Sequence, residues 1–435
     1  MAKRQPIPDL PPVKFESAGS SQEEQDLNLQ MVIPSPGYPT SVMMVVDVIL
    51  RHVETAVFDF TPQAVAIRYL VDGVWQMMPS MDRENGDYML ATIKQLSGMN
   101  YRERRQRQEG NFKALFSEKK YRFRVVSQGI PTGERVGIYV DARKPPLDSL
   151  DQLGMRAAMK QLLGPLLLQK KGLVVVTAMP TEGFTTAWRA VLGACDRFLR
   201  DHFVVEEVHR AEQEVINVHQ TFYDETKNEN VLTPVPQMLL REPHVIGFPE
   251  LSDGNLLTRI CEISESSRVL MLTRLYSRNA VEALPRLLSL KPDLKKLAPM
   301  LSAVLCMRLV RKLCEHCKQP YQPSPQLLAK LGIPPARVQR FFRPQPYQPG
   351  QLDPEGNDIP PCDKCVGIGY QGRTGVFELL TVNDALRAAL SSNPKMAHLT
   401  AVAQQSGHVS MRDEAVLLVA RGVTSVEELQ RVFAK

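Results

Sequence analysis

No apolar run in this 435-residue chain approaches the roughly 20 residues that a membrane-crossing helix needs. The N-terminal stretch MAKRQPIPDLPPVKFESAGSSQEEQD also lacks the apolar centre of a signal peptide. Together these absences predict a cytoplasmic protein with no transmembrane segment. Charge of one sign is scarce too: 53 Lys and Arg face 47 Asp and Glu, and the net charge of +6 permits contact with acidic lipids or nucleic acid without indicating either. There is no internal repeat. Base-stacking aromatics do not cluster with basic residues near the cysteines, so a specific nucleic-acid binder is disfavoured. What remains is an ordinary globular composition, with 43% hydrophobic and 23% charged residues, in a chain long enough for two or three domains.

Seven cysteines are present. Cys195, Cys261 and Cys306 sit singly in apolar surroundings and read as buried free thiols of a reducing compartment. The other four are arranged as Cys314-x-x-Cys317 and Cys362-x-x-Cys365. A two-residue gap lets two thiolates converge on one tetrahedral ion from a tight turn, and a long loop can bring the second pair to the first. Four sulfur ligands close the coordination shell of a structural Zn2+ and leave no position for a substrate. His316, between the first two cysteines, is expected to be exposed.

Along the chain, residues 1–40 are rich in Pro, Ser, Gln and charge, and are expected to form a disordered or loosely docked arm. From Thr40 a helical stretch is followed by alternating strands, with a hairpin turn at Asp72-Gly73. A helix near 87–99, the charged run Tyr101–Arg107, and strands at Tyr121–Val126 and Arg135–Val140 complete a first α/β domain, 41–142. Pro145-Pro146 and a helical stretch make 143–171 a linker. The apolar strand at Gly172–Thr177, followed by a turn and a helix over Thr185–Asp196, signals a parallel sheet buried on both faces. Further strands are expected at 203–205, 244–247 and 268–273. After them come a helix ending in the first cysteine pair, a proline-rich loop, a short strand at Gly375–Leu379 and C-terminal helices.

A strand, turn and helix of this kind is where a phosphate-binding loop, G-x-x-x-x-G-K-[ST], would sit. The residues are Ala178-Met179-Pro180-Thr181-Glu182-Gly183-Phe184-Thr185, with Thr186 next. The final glycine and Thr185-Thr186 fit. Ala178 replaces the first glycine, and Phe184 replaces the lysine that faces the β and γ phosphates. Pro180 removes an N–H from the phosphate nest. Glu182 adds a carboxylate, and unit charges about 4 Å apart repel by roughly 4 kcal/mol at an effective dielectric near 20. The helix N-terminus still offers N–H donors to an anion. Taken alone, the turn is equally an ordinary strand-to-helix connection.

Longer stretches resemble one family. Cys306-Met-Arg308-Leu-Val-Arg311-Lys-Leu-Cys314-Glu-His-Cys317, and Cys362 through Gly369-Tyr-Gln-Gly372-Arg373-Thr-Gly375-Val-Phe-Glu378, resemble the zinc region of the hexameric motor ATPases of type II secretion and type IV pilus assembly and retraction. So do Ile67–Val74, Glu103-Arg104-Arg105 with Gln108-Glu109-Gly110, and Gly422–Val432. The resemblance implies a PAS-like N-terminal α/β domain. It further implies a RecA-like P-loop NTPase domain at 172–305, a tetracysteine zinc subdomain at 306–380 and a C-terminal helical subdomain at 381–435.

The same resemblance shows where the engine departs from its pattern. Pro131-Thr132-Gly133-Glu134 is a shortened acidic box, and Glu206-Glu207 correspond to a second one. Glu250 takes the Walker B position that orients the attacking water, although a lone acid is more often a solvated carboxylate. Tyr276 stands where a histidine belongs. Glu250 and Glu134 are thus vestigial catalytic candidates, and residues 178 and 180–186 form a degenerate nucleotide loop for which ATP and Mg2+ are doubtful. The expected function is that of a pseudo-ATPase, a structural or regulatory subunit of a pilus or secretion machine. It would sit in a homo- or hetero-hexamer with an active paralogue, against the inner-membrane platform protein. The alternative is a working motor with a non-standard loop, in which an arginine from a neighbouring subunit replaces the lysine.

Overall fold

In the computed structural model the described residues are 11–141, 147–334, 338–352, 355–392 and 394–433. They fall into two compact units, one within Met1–Pro145 and Tyr347–Ile368, the other within Pro146–Pro346 and Gly369–Lys435.

The first unit is built on seven strands: β1 (Lys14–Glu16), β2 (Val53–Phe60), β3 (Ala64–Val71), β4 (Val74–Asp82), β5 (Gln108–Phe116), β6 (Lys119–Ile130) and β7 (Gly133–Asp141). They form one antiparallel sheet in the order β1-β5-β6-β7-β2-β3-β4. Helices α1 (Gln22–Val32), α2 (Tyr38–Leu50) and α3 (Arg83–Leu96) contribute to its core, where Val42, Val45, Met89 and Ile93 pack with Phe58, Val65, Phe112, Phe123 and Ile138. Strand periodicity explains the selection: in β3, Val65, Ile67, Tyr69 and Val71 are buried while the residues between them are half-buried. The Asp72-Gly73 turn closes a hairpin in which Val71 faces Val74, and both turn residues have positive φ, 49° and 75°, as a primed two-residue turn requires. Trp75, half exposed on the edge strand β4, carries the Arg68 guanidinium 5.8 Å from its ring.

The arm expected to be disordered or loosely docked is structured from Pro11 onward and docks through a paired strand; residues 1–10 lie outside the described set. Lys14–Glu16 pairs with β5, and Phe15 is buried edge-on against Phe112 and Tyr38, each 5.9 Å away. Two apolar residues at alternate positions, Val13 and Phe15, suffice to dock a strand that bulk composition reads as loose.

In the second unit the strands are β8 (Gly172–Thr177), β9 (His202–Glu207), β10 (His219–Tyr223), β11 (Val245–Glu250), β12 (Leu270–Leu275), β13 (Leu301–Leu313), β14 (Gln319–Tyr321), β15 (Phe341–Arg343) and β16 (Tyr370–Thr381). The main sheet has the order β10-β9-β11-β12-β8-β13-β16, parallel except for β16, and β14 pairs separately with β15. Helix α4 (Ala157–Leu167) precedes β8, and α5 (Phe184–Ala194), α6 (Val235–Leu239), α7 (Gly254–Ser267), α8 (Ala280–Ser289) and α9 (Leu294–Met300) lie in the connections between the parallel strands. Next come α10 (Pro325–Leu331) and then α11 (Asp384–Ser392), α12 (Met396–Gln405), α13 (Met411–Ala420) and α14 (Val426–Phe433). The parallel sheet is RecA-like. All six residues of β8 are buried, as a central strand covered on both faces demands.

Part of the predicted linker is core: α4 follows Leu150, Leu153 and Met155, and these residues with Met159, Leu163 and Leu167 are buried beneath β8 and α5. Arg156 also pairs with Glu414 on α13. The helix expected to lead into Cys314 is the 13-residue strand β13, which pairs with β8 on one side and β16 on the other. A short apolar run is ambiguous between buried helix and buried strand, and tertiary pairing decided it.

Candidate functional site

The strand, turn and helix of the phosphate-loop position are formed by β8, Ala178–Gly183 and α5. Gly183 caps the helix at φ 82°, a left-handed conformation that favours glycine, and a Cβ there would meet the Met307 methyl at 2.6 Å and push it aside. Thr181 is also left-handed, at φ 68°. The loop keeps its shape, yet one of its donors is already employed and another is missing: the Glu182 N–H bonds to the Met179 carbonyl at 3.1 Å, and Pro180 has no N–H. Thr185 is exposed on the first turn of α5, and Thr186 is half-buried.

Phe184 lies where the phosphate-facing cation would be. Its ring centroid is 4.9 Å from that of Tyr276, and the Arg274 guanidinium is 5.7 Å from it and 5.2 Å from the Trp188 ring. Arg274 pairs with Glu212. Sequence reading missed Arg274, although a single arginine within the apolar strand LMLTRL was a signal. Burial, and after it the charge of Glu250, which ends β11, raise the Tyr276 hydroxyl above its ordinary range. Burial raises the Glu250 carboxyl above its ordinary range, and the nearby Tyr276 hydroxyl and Arg274 charge only partly offset it. Pro249 breaks the ladder before Glu250: the register shifts between Gly247 and Glu250, and the Pro249 carbonyl accepts from Thr273 Oγ1 at 3.1 Å.

The repulsion expected from Glu182 is largely answered within the chain. Arg308 of β13 donates to both of its oxygens, Nε at 2.9 Å and Nη2 at 3.2 Å. A bidentate pair of this kind returns the local charge to near neutral. Glu206, at the end of β9, accepts from the Glu212 N–H and from Gln220, and burial raises its pKa. A cavity of about 830 Å³ opens here, bordered by Glu206, Glu207, Glu250, Asp253, Arg259 and Arg274. This crevice lies at the carboxyl ends of parallel strands, where open α/β sheets bind ligands. Glu134 belongs to the first unit, where it is buried on β7, paired with Lys94 and accepting a hydrogen bond from Ser127. Lys94 is itself fully buried, so this acid serves a structural ion pair there.

The four motif cysteines converge. The Sγ atoms of Cys314, Cys317, Cys362 and Cys365 lie within 4.8 Å of one another. Four thiolates about 2.3 Å from a shared zinc stand roughly 3.8 Å apart, so the set fits that ion. Cys314 follows directly on β13 and starts a tight turn, with the Lys318 N–H reaching its carbonyl at 3.0 Å. On the other side Val366 and Gly367 have positive φ, 49° and 80°, and the Ile368 N–H returns to the Cys365 carbonyl at 3.1 Å. His316 is exposed and stands outside the set. Cys195, Cys261 and Cys306 are buried and free, and burial pushes the thiols of Cys195 and Cys261 up to about 12.

Beside the first cysteine pair, the C-terminal helix is fastened to β13. Glu428, fully buried, accepts from the Arg311 N–H at 2.9 Å and from the Arg311 and Arg431 guanidinium groups. Arg311 stacks 4.0 Å from the Tyr370 ring, whose hydroxyl bonds Ser425 at 2.7 Å. Burial pushes the Glu428 carboxyl up, but the bonds from Arg431 and Arg311 outweigh it and hold the group below its ordinary range.

The sequence profile of the family described as Type II/IV secretion system protein matches residues 38–431. Type II secretion system protein E of Pseudomonas aeruginosa is 27% identical over 368 residues, covering 85% of this chain and 70% of that protein. The type IV pilus assembly ATPase PilB of the same organism is 24% identical over 367 residues, or 84% of this chain and 62% of PilB. The crystal structure of the Legionella pneumophila ATPase DotB shares the fold at a TM-score of 0.52 and 14% identity, over 90% of this chain and 94% of that one.

Proposed function

Since the chain belongs to the type II/IV secretion system protein family, we propose that it is a pseudo-ATPase: a subunit with the motor fold that has lost ATP hydrolysis. One observation carries this reading. Phe184 and Tyr276, standing where the family resemblance implies lysine and histidine, pack ring against ring, and burial raises the carboxyl of Glu250, which stands where it implies the catalytic carboxylate. Where a motor would turn a cation and an imidazole toward phosphate, two aromatic rings here face each other. ATP and Mg2+ fit poorly, because the point charge is absent, the Glu182 N–H is taken and Pro180 offers no donor. Ala178, Pro180, Thr181, Glu182, Gly183, Phe184, Thr185 and Thr186 thus form a relic of a phosphate loop, and Glu250 and Glu134 are relics of catalysis.

The retained parts are those of assembly: the first unit, the RecA-like sheet, the cysteine site for structural zinc and the C-terminal helices. A cytoplasmic hexamer, homomeric or shared with an active paralogue and seated on an inner-membrane platform protein, gives such a subunit its use. It completes the ring geometry and contributes no turnover. Equilibrium ATP binding by the purified chain tests this. We expect no saturable binding in the micromolar range and no turnover; micromolar affinity with turnover abolished by Glu250→Gln overturns the proposal.

The working-motor alternative draws on two observations: Arg308 neutralises Glu182, and Arg274 places a guanidinium beside Phe184. In that reading Arg274 assists the neighbouring subunit's arginine, and Arg274→Gln eliminates turnover that Phe184→Lys enhances.

A further inference from the structure

The ladder between β9 and β10 sets Glu207 opposite Tyr223, so the residues just beyond each strand end emerge side by side. The Val208 N–H closes this end on the Tyr223 carbonyl at 3.0 Å. His209 follows two residues after Glu207, and Asp224 directly after Tyr223. One nitrogen of His209 and one carboxylate oxygen each of Glu207 and Asp224 then lie within 4.8 Å of one another. We propose that Glu207, His209 and Asp224 form a second metal site, for a divalent ion of the zinc, nickel or cobalt class, distinct from the cysteine set and independent of whether nucleotide binds.

Donor chemistry and spacing support it. One imidazole and two carboxylates suit borderline first-row ions. His209 Nε2 and Asp224 Oδ1 are 3.9 Å apart, beyond hydrogen-bond reach, whereas ligands about 2.1 Å from a common ion stand roughly 3.4 Å apart. Glu207 is buried and its other contacts are local: Oε2 accepts from the His209 N–H at 2.8 Å. The Thr226 N–H and hydroxyl both donate to Asp224 Oδ1, the N–H at 2.9 Å, and so fix the orientation of this carboxylate. Lys227 approaches Oδ2 at 3.1 Å, on the oxygen that His209 does not face. The cavity wall beside the triad adds Glu225 and Glu229, and Arg210, 3.6 Å from Glu225, answers one of these charges. A divalent ion relieves the remaining repulsion, and three protein ligands leave it a position open to a further ligand.

Untagged full-length protein, loaded with one zinc at the cysteines, is titrated with ZnCl2 and separately with CoCl2. A second equivalent is expected, without the thiolate charge-transfer absorption that cobalt acquires from cysteine. His209→Ala, a change at an exposed ring, is expected to weaken that equivalent roughly tenfold or more while the first equivalent stays, and Asp224→Asn to do the same. The proposal is overturned if no second equivalent binds below about 1 mM, or if it binds with unchanged affinity in both variants.

Discussion

The phosphate-loop region and the cysteine region lie in one chain, and their polar groups are treated differently. Around the loop, buried atoms stand without protein hydrogen-bond partners: Trp188 Nε1, Arg274 Nε and Glu212 Oε2. Burial raises the carboxyls of Glu206 and Glu250 there. Beside the first cysteine pair, Glu428 meets two guanidinium groups and a backbone N–H, and its carboxyl is lowered. Unpartnered buried polar atoms cost roughly 1–3 kcal/mol each, so a region keeps them only where function demands it or where nothing has yet removed them. The contrast teaches that the cluster beside the first cysteine pair answers its buried carboxylate in full, whereas the cluster around the loop leaves buried polar atoms unanswered.

Zinc removal breaks the comparison most strongly. Chelation, or Cys314→Ser with Cys362→Ser, withdraws a constraint of several kcal/mol, since binding to a structural site is coupled to folding. The expected result is zero zinc by elemental analysis, a Tm lower by about 10 °C and failure to assemble. A chelated sample that assembles normally counts against the structural role. Next, Glu428→Ala leaves Arg311 and Arg431 unanswered and is expected to destabilise by about 3–5 kcal/mol in denaturant titration. Glu134→Gln, which strips the partner from buried Lys94, is expected to lower stability by about 3 kcal/mol, as an ion-pair role requires and a purely catalytic role does not.

Acid sharpens the contrast by sign. A carboxyl held low in the folded state contributes stability that is complete above its unfolded pKa, near 4.3, and is lost as pH falls through the folded value. That is Glu428. Glu206, held high, works the other way: the folded state prefers it protonated, so its contribution is present at low pH and lost as pH rises through its folded pKa. Glu206→Gln is therefore expected to stabilise at pH 7 by a Tm gain of about 2 °C or less, a gain that disappears below pH 4. Thermal melts of both variants from pH 3 to 8 check the crossing.

Much of this was legible in the residues. Alternation with Asp72-Gly73 marked the hairpin, unbroken apolar character marked β8, and cysteine spacing marked the converging thiols. Local pattern failed wherever a distant partner made the decision. β13 is a strand because β8 and β16 flank it, and residues 150–167 are core because β8 and α5 need a cover. Glu182 looked repulsive because Arg308, 126 positions away, is adjacent only after folding. Arg274 and the ring contact of Phe184 with Tyr276 were hidden for the same reason.

Only two tryptophans occur in the chain, and the fold gives them opposite surroundings. Trp188 is buried under Arg274 in the second unit, while Trp75 is half exposed on an edge strand of the first. Their intrinsic fluorescence therefore separates by colour, blue for the sealed indole and red for the hydrated one. Single Trp→Phe variants turn each unit into its own optical thermometer, so that melting of the two bodies can be timed independently without any added dye.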